Sequence, residues 1–218
     1  MLELILPAGP TSPALLLLGA HCDDIEIGMG ATVRRFCTRR PDARIMWVTL
    51  GSDEARAGET RAAAARFLAD ARNATVVVKS FRESYFPYIG AELKDFFETL
   101  KLQIVPDVVF THWRDDVHQD HRIVNELTWN TFRNQLILEY EIPKYDGDLR
   151  TPNVYVPITR GELDAKIDIL MECFPSQQRR PWFTPETFQA TARLRGIECN
   201  APEGFAEGFH CRKSMLAI

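Results

Sequence analysis

A chain of 218 residues, 45% of them hydrophobic, is long enough for one well-filled α/β domain and carries no signature of disorder. Its 26 basic and 30 acidic residues give a formal charge of -4 without long single-sign blocks, which argues against a nucleic-acid partner. Five scattered cysteines with no C-x-x-C pair exclude a disulfide framework and a zinc ribbon, and they read as reduced thiols of a cytoplasmic protein.

From the N-terminus, the apolar stretch that ends at Cys22 is too short for a secretion signal and has no positive flank, since no Lys or Arg precedes Arg34. No segment reaches the roughly 20 apolar residues of a membrane span. Short apolar runs at 14–20, 45–50, 74–78 and 107–111 have the pattern of parallel strands covered on both faces. Between them, Met29, Val33, Phe36 and Cys37, then Ala64, Phe67, Leu68 and Ala71, then Leu93, Phe96, Phe97 and Leu100 repeat at helical spacing. Pro41 and Pro106 punctuate two of the returns to strand. Four such units in series predict a doubly wound, mostly parallel, Rossmann-like sheet with helices on both faces.

The second half is less regular. Strands are expected near 136–142 and 153–158, and a helix carries Leu163, Ile167, Leu170, Met171 and Phe174 on one face. A last helix takes Thr184 as N-cap and Pro185 at its first position, with Gly196 as its stop. With no linker, repeat or low-complexity stretch, 1–218 reads as a single domain with a less regular C-terminal extension.

Ligands of open α/β sheets sit outside the carboxyl ends of the strands. The first such end carries His21, Asp23, Asp24 and Glu26, and the fourth runs into "THWRDDVHQDHRIV", with Asp115, Asp116, His118, Asp120 and His121. If those two strands are neighbours, the clusters face each other. Hydrolytic zinc takes three N or O ligands, two close in sequence and one remote, and leaves a position for water; His21, Asp24 and His121 fit that pattern. A sharp turn lets His21 and Asp24 clamp one ion while Asp23 stays free to face its water, and His118, three residues before His121, reaches the same cleft.

Each feature has a blander account when taken singly. Asp23 or Asp24 alone could be a helix N-cap, and a lone histidine is as readily structural. The joint pattern decides, because three of the five histidines fall in these two clusters. His112 reads as a strand-end residue and His210 has no assignment. "GMGA" at 28–31 is a weak phosphate-loop signal, and the carboxylates before it would repel a pyrophosphate, so nucleotide binding is discounted.

These residues resemble the PIG-L or LmbE-like family of zinc-dependent N-acetylglucosaminyl deacetylases. The family motif A-H-P-D-D-x-E appears as "AHCDDIE" with Cys22 in place of proline, and its H-x-x-H appears as "HQDH" after the fourth strand, the likeness covering roughly the first 125 residues. The resemblance implies that His21, Asp24 and His121 hold Zn²⁺, or another divalent ion such as Fe²⁺, that Asp23 is the general base, that His118 stabilises the intermediate, and that Arg56 of "RAGE" binds substrate. It also leads one to expect an acid after the third strand, a place that Glu83 could fill.

The implied activity is removal of the N-acetyl group from an N-acetylglucosamine-type small molecule, in a protein that could self-associate into a homo-oligomer. The alternatives are an amidase on another amino-sugar conjugate, a two-metal phosphoesterase and a non-catalytic sugar-binding protein. Several finer expectations follow. His118 is protonated by its acidic neighbours; Asp116 or Asp120 orients a histidine; Cys22 packs away from the ion; and Tyr85, Lys144, Tyr145 and Arg179 line the sugar-binding mouth or are solvated surface.

Overall fold

The computed structural model describes residues 12–215, and the part of the apolar stretch before Cys22 that falls in 1–11 lies outside the described residues. Its strands are β1 (Ala14–Gly19), β2 (Arg44–Gly51), β3 (Asn73–Phe81), β4 (Val108–His112), β5 (Leu136–Tyr140), β6 (Val154–Ile158) and β7 (Phe205–His210). The helices are α1 (Asp24–Arg39), α2 (Glu54–Phe67), α3 (Gly90–Gln103), α4 (Gln119–Thr131), α5 (Arg160–Cys173) and α6 (Pro185–Glu198). The sheet order is β3-β2-β1-β4-β5-β7-β6, parallel from β3 to β5, with β7 antiparallel to both its neighbours. Strands β1 and β4 are therefore adjacent, pairing Leu15 with Val108 and Leu17 with Phe110.

Alternation along β1 feeds two cores. Leu15 and Leu17 join the face covered by α1, α2, α5 and α6, whereas Ala14, Leu16 and Leu18 join the face covered by α3 and α4. A strand buried on both faces must be apolar at every position, which is why "ALLLLG" was legible.

The C-terminal part departs most from expectation. β7 inserts between β5 and β6 and completes the sheet. Gly196 lies inside α6, which runs on to Glu198, and is not its stop. A Cβ there would come within 2.1 Å of the Gly204 carbonyl oxygen, so the glycine serves close approach of helix and turn. Thr184 does cap α6, and a Thr159–Glu162 capping box opens α5.

Helix α1 is interrupted at Met29, where φ is -151° and ψ 19°. A break strands amide groups at the start of the following turn. Glu207 of β7 answers them, accepting from Ala31 N at 3.1 Å and Thr32 N at 2.7 Å, and buried Lys166 pairs with it at 2.6 Å. Gly28 beside the break faces Tyr140, so the "GMGA" glycines serve packing.

Candidate metal centre

Between β1 and α1 the chain reverses in four residues, 20–23. The Asp24 carboxylate closes the turn by accepting His21 N at 2.6 Å, and Asp23 adopts φ 101°, a left-handed conformation that costs a non-glycine residue energy. Asp23 occupies the N-cap position of α1 yet makes no side-chain cap bond, so the bland capping account does not hold for it. Cys22, at the former proline position, is fully buried with its Sγ 3.6 Å from the Gly51 carbonyl, and burial pushes the thiol up to about 12.

The fourth strand end meets this turn. His21 Nδ1 lies 3.2 Å from His121 Nε2 and 3.5 Å from Asp24 Oδ2, while His121 Nε2 lies 3.5 Å from Asp24 Oδ1. Ligands held tetrahedrally at the usual 2.0–2.2 Å from zinc are about 3.3–3.6 Å apart. Two imidazoles and a carboxylate at that spacing are a donor set that suits one divalent ion. Like-polarity nitrogens so close together also have little reason to converge without a shared proton or a cation.

Both flanking carboxylates orient a ring. Asp120 Oδ2 takes His21 Nε2 at 2.9 Å, and Asp116 Oδ2 takes His121 Nδ1 at 2.9 Å, so the sequence alternatives are both realised, one per histidine. Each bond fixes a tautomer that leaves the inward nitrogen free as a ligand. Burial and the neighbouring His112 drive His121 down to about 3, keeping it neutral. Burial also disfavours a charged His21, but the bond to Asp120 and the charges of Asp24 and Glu83 outweigh it and raise its pKa. Asp24 stays well below the usual carboxylate range: burial opposes ionisation, and His121, His112 and His21 overcome it.

Burial and the adjacent Asp24 charge push the Asp23 carboxyl up to about 8, with Arg56 and His21 opposing. Glu26, the last acid of the motif, is fully buried with both oxygens unpartnered, and burial raises it well above its ordinary value. Arg56 binds Glu83 through Nη1 at 2.5 Å and the Cys22 carbonyl through Nη2 at 2.8 Å, and it approaches Asp23 at 3.7 Å.

His118 precedes α4 as its N-cap, and its Nδ1 accepts Asp120 N at 3.2 Å, which places the proton on Nε2. The expected imidazolium is corrected: burial, followed by the charge of His21, lowers its pKa and outweighs Asp120, Asp24 and Asp116. Its ring still stands 4.8 Å from His21 and 4.6 Å from His121, on the half-buried side of the cluster.

Two residues gained a place that the sequence did not suggest. His112 stacks on His121 at 3.8 Å between ring centroids, with its Nε2 2.9 Å from Ala20 N and 3.2 Å from Asp24 Oδ2. Its position at the end of β4, pointing at the β1 turn, was the available signal. Lys144, expected at the mouth or on the surface, instead has a side chain only 8% exposed and tied to Asp116 and Asp148. Tyr85, Tyr145 and Arg179 are exposed, whereas Phe86 and Phe183 near them in sequence are buried in the core.

Residues 16–132 match the PIG-L family, described as GlcNAc-PI de-N-acetylase. No curated protein sequence matches. Among solved structures, the N,N'-diacetylchitobiose deacetylase of Pyrococcus horikoshii, complexed with its inhibitor MPG, is 19% identical with a TM-score of 0.64, covering 92% of this chain and 84% of its own. The zinc-inhibited form of teicoplanin deacetylase Orf2 is 14% identical with a TM-score of 0.72, over 91% and 97%. GalB of Pseudomonas putida KT2440, a 4-carboxy-2-hydroxymuconate hydratase, is 15% identical with a TM-score of 0.72, over 94% and 98%. These likenesses establish a common fold.

Proposed function

The chain belongs to the PIG-L family, and on that premise we propose that it is a metal-dependent hydrolase that removes the N-acetyl group of an N-acetylglucosamine-type sugar or conjugate, releasing acetate and a free amine. The observation that carries this reading is the convergence of His21 Nδ1 and His121 Nε2, 3.2 Å apart, on the Asp24 carboxylate, each nitrogen 3.5 Å from one of its oxygens, with Asp23 next in the chain. Zn²⁺ is the first candidate ion, and Fe²⁺ would find the same donors.

A divalent ion held there would lower the pKa of a bound water from 15.7 to about 7 and polarise the amide carbonyl. Asp23 accepts the proton as water adds to the acetyl carbon, then returns it to the amine nitrogen as the C–N bond breaks. Neutral His118 donates its Nε2 proton in a hydrogen bond to the carbonyl oxygen as negative charge develops on it. Arg56 enters the substrate-binding set from between Asp23 and Glu83.

A second reading, an amidase on another amino-sugar conjugate, draws support from Glu83, whose carboxylate is already engaged by Arg56. The two-ion phosphoesterase has less support, because the two donor groups of the cluster, His21, His118 and His121 on one side and Asp24, His112 and His121 on the other, share His121, and His112 Nε2 already accepts Ala20 N.

Acetate release from a panel of N-acetylated amino sugars, set against amine release from larger amides, tests the reading. Turnover of an N-acetyl sugar that a chelator abolishes and zinc restores is expected. Turnover indifferent to chelation would overturn it.

A further inference from the structure

The segment after β5 contributes a cation with a largely enclosed side chain to the wall of the site. Lys144 Nζ lies 2.9 Å from Asp116 Oδ2 and 2.6 Å from Asp148 Oδ2. The same Asp116 oxygen accepts His121 Nδ1, while its other oxygen accepts His118 N at 2.8 Å. Asp148 Oδ2 in turn accepts Val117 N at 2.8 Å. One ammonium group thus joins the two carboxylates that pin residues 116–118 and aim His121.

We infer that Lys144 is a positioning residue of the ion-binding cluster, acting through Asp116 to hold His121 with its Nε2 turned toward His21 and Asp24. The inference rests on the proposed role of His121 as an ion ligand. Asp116 and Asp148 are 2% and 6% exposed, so without Lys144 two buried carboxylates would face each other unneutralised. Asp116 would then move toward solvent or another donor, and the His121 ring would lose the bond that fixes its tautomer and angle. Outer partners of metal ligands generally act in this way, and losing one weakens metal binding by about 10- to 100-fold.

The test is zinc affinity of the full chain, measured by competition with a chromophoric chelator, alongside thermal melting. Lys144→Met is expected to bind zinc at least about tenfold more weakly than wild type, while Lys144→Arg, which keeps the charge, recovers most of the loss. Asp148→Asn, which leaves the contact with Asp116 intact, should change melting more than zinc affinity. In an Asp116→Asn background, Lys144→Met should add no further loss, because its route to His121 is already cut. Should Lys144→Met fail to fold, Lys144→Gln takes its place. Wild-type zinc affinity in the Met or Gln variant, or losses that multiply in the double variant, would overturn the inference. A wild-type chain that bound no zinc would overturn the proposed function as well.

Discussion

Asp23 stands at φ 101° without capping the helix behind it, and a buried acid in a strained backbone position has to be held by its surroundings. If its task is proton transfer, Asp23→Asn should keep its ion and lose about 10²- to 10⁴-fold in kcat, read by acetate release with metal content measured on the same sample. Near-normal turnover would remove Asp23 as the base. His118 is different in kind, since it both faces the cleft and caps α4. His118→Ala should cost about 10²- to 10³-fold in kcat and also lower the melting temperature, because the cap is worth about 1 kcal/mol; a variant impaired in melting but not in rate would confine His118 to the cap.

The broken α1 explains why one element escaped the sequence. "FAEGFH" has no alternating apolar signal, because Glu207 points inward to serve the stranded amides at Ala31 and Thr32 and the ammonium of Lys166. A buried charge at a strand position looks like a loop until its partners, more than 170 residues away at the amides, are brought to it. β1, β2 and β4 were legible for the opposite reason, their apolar runs being buried almost throughout, whereas the edge strand β3 showed only its central apolar run at 74–78. Glu207→Ala should destabilise the fold by about 3–5 kcal/mol, since it leaves Lys166 buried without a counter-charge. Chemical denaturation followed by circular dichroism measures this, and a change below about 1 kcal/mol would mean that the amides and the lysine find other partners. Gly196→Ala, with 2.1 Å to the Gly204 carbonyl, belongs to the same scale and is expected to cost about 1–3 kcal/mol.

At the scale of the whole molecule, the strand order is what turns two sequence motifs into one site. His21, Asp24 and His121 were recognisable from residue type and spacing because β1 and β4 are neighbours at the point where the order reverses. His112 and Lys144 were not, because each acts through tertiary neighbours: one stacks on a ring nine residues on, and the other reaches back from the far side of β5. Among the described residues, no helix is long and apolar enough to cross a membrane. His210, on the last strand, stacks on Trp113 at 4.7 Å, and burial, followed by the charge of Arg195, drives its pKa from 6.5 down to about 4. The folded state therefore binds this proton less readily than the unfolded chain. The contribution is present above pH 6.5 and is lost progressively as pH falls toward 4. His210→Phe should show a smaller drop in melting temperature between pH 7 and pH 5 than wild type; an equal drop would assign the pH dependence to other groups.

The donor triangle is tested most directly by counting ions. After saturation with zinc and removal of excess, elemental analysis should find one ion per chain in wild type and in Asp23→Asn, and none in Asp24→Ala or His121→Ala. Two ions per chain, or an ion kept when Asp24 and His121 are each removed, would contradict a single centre built from those three side chains.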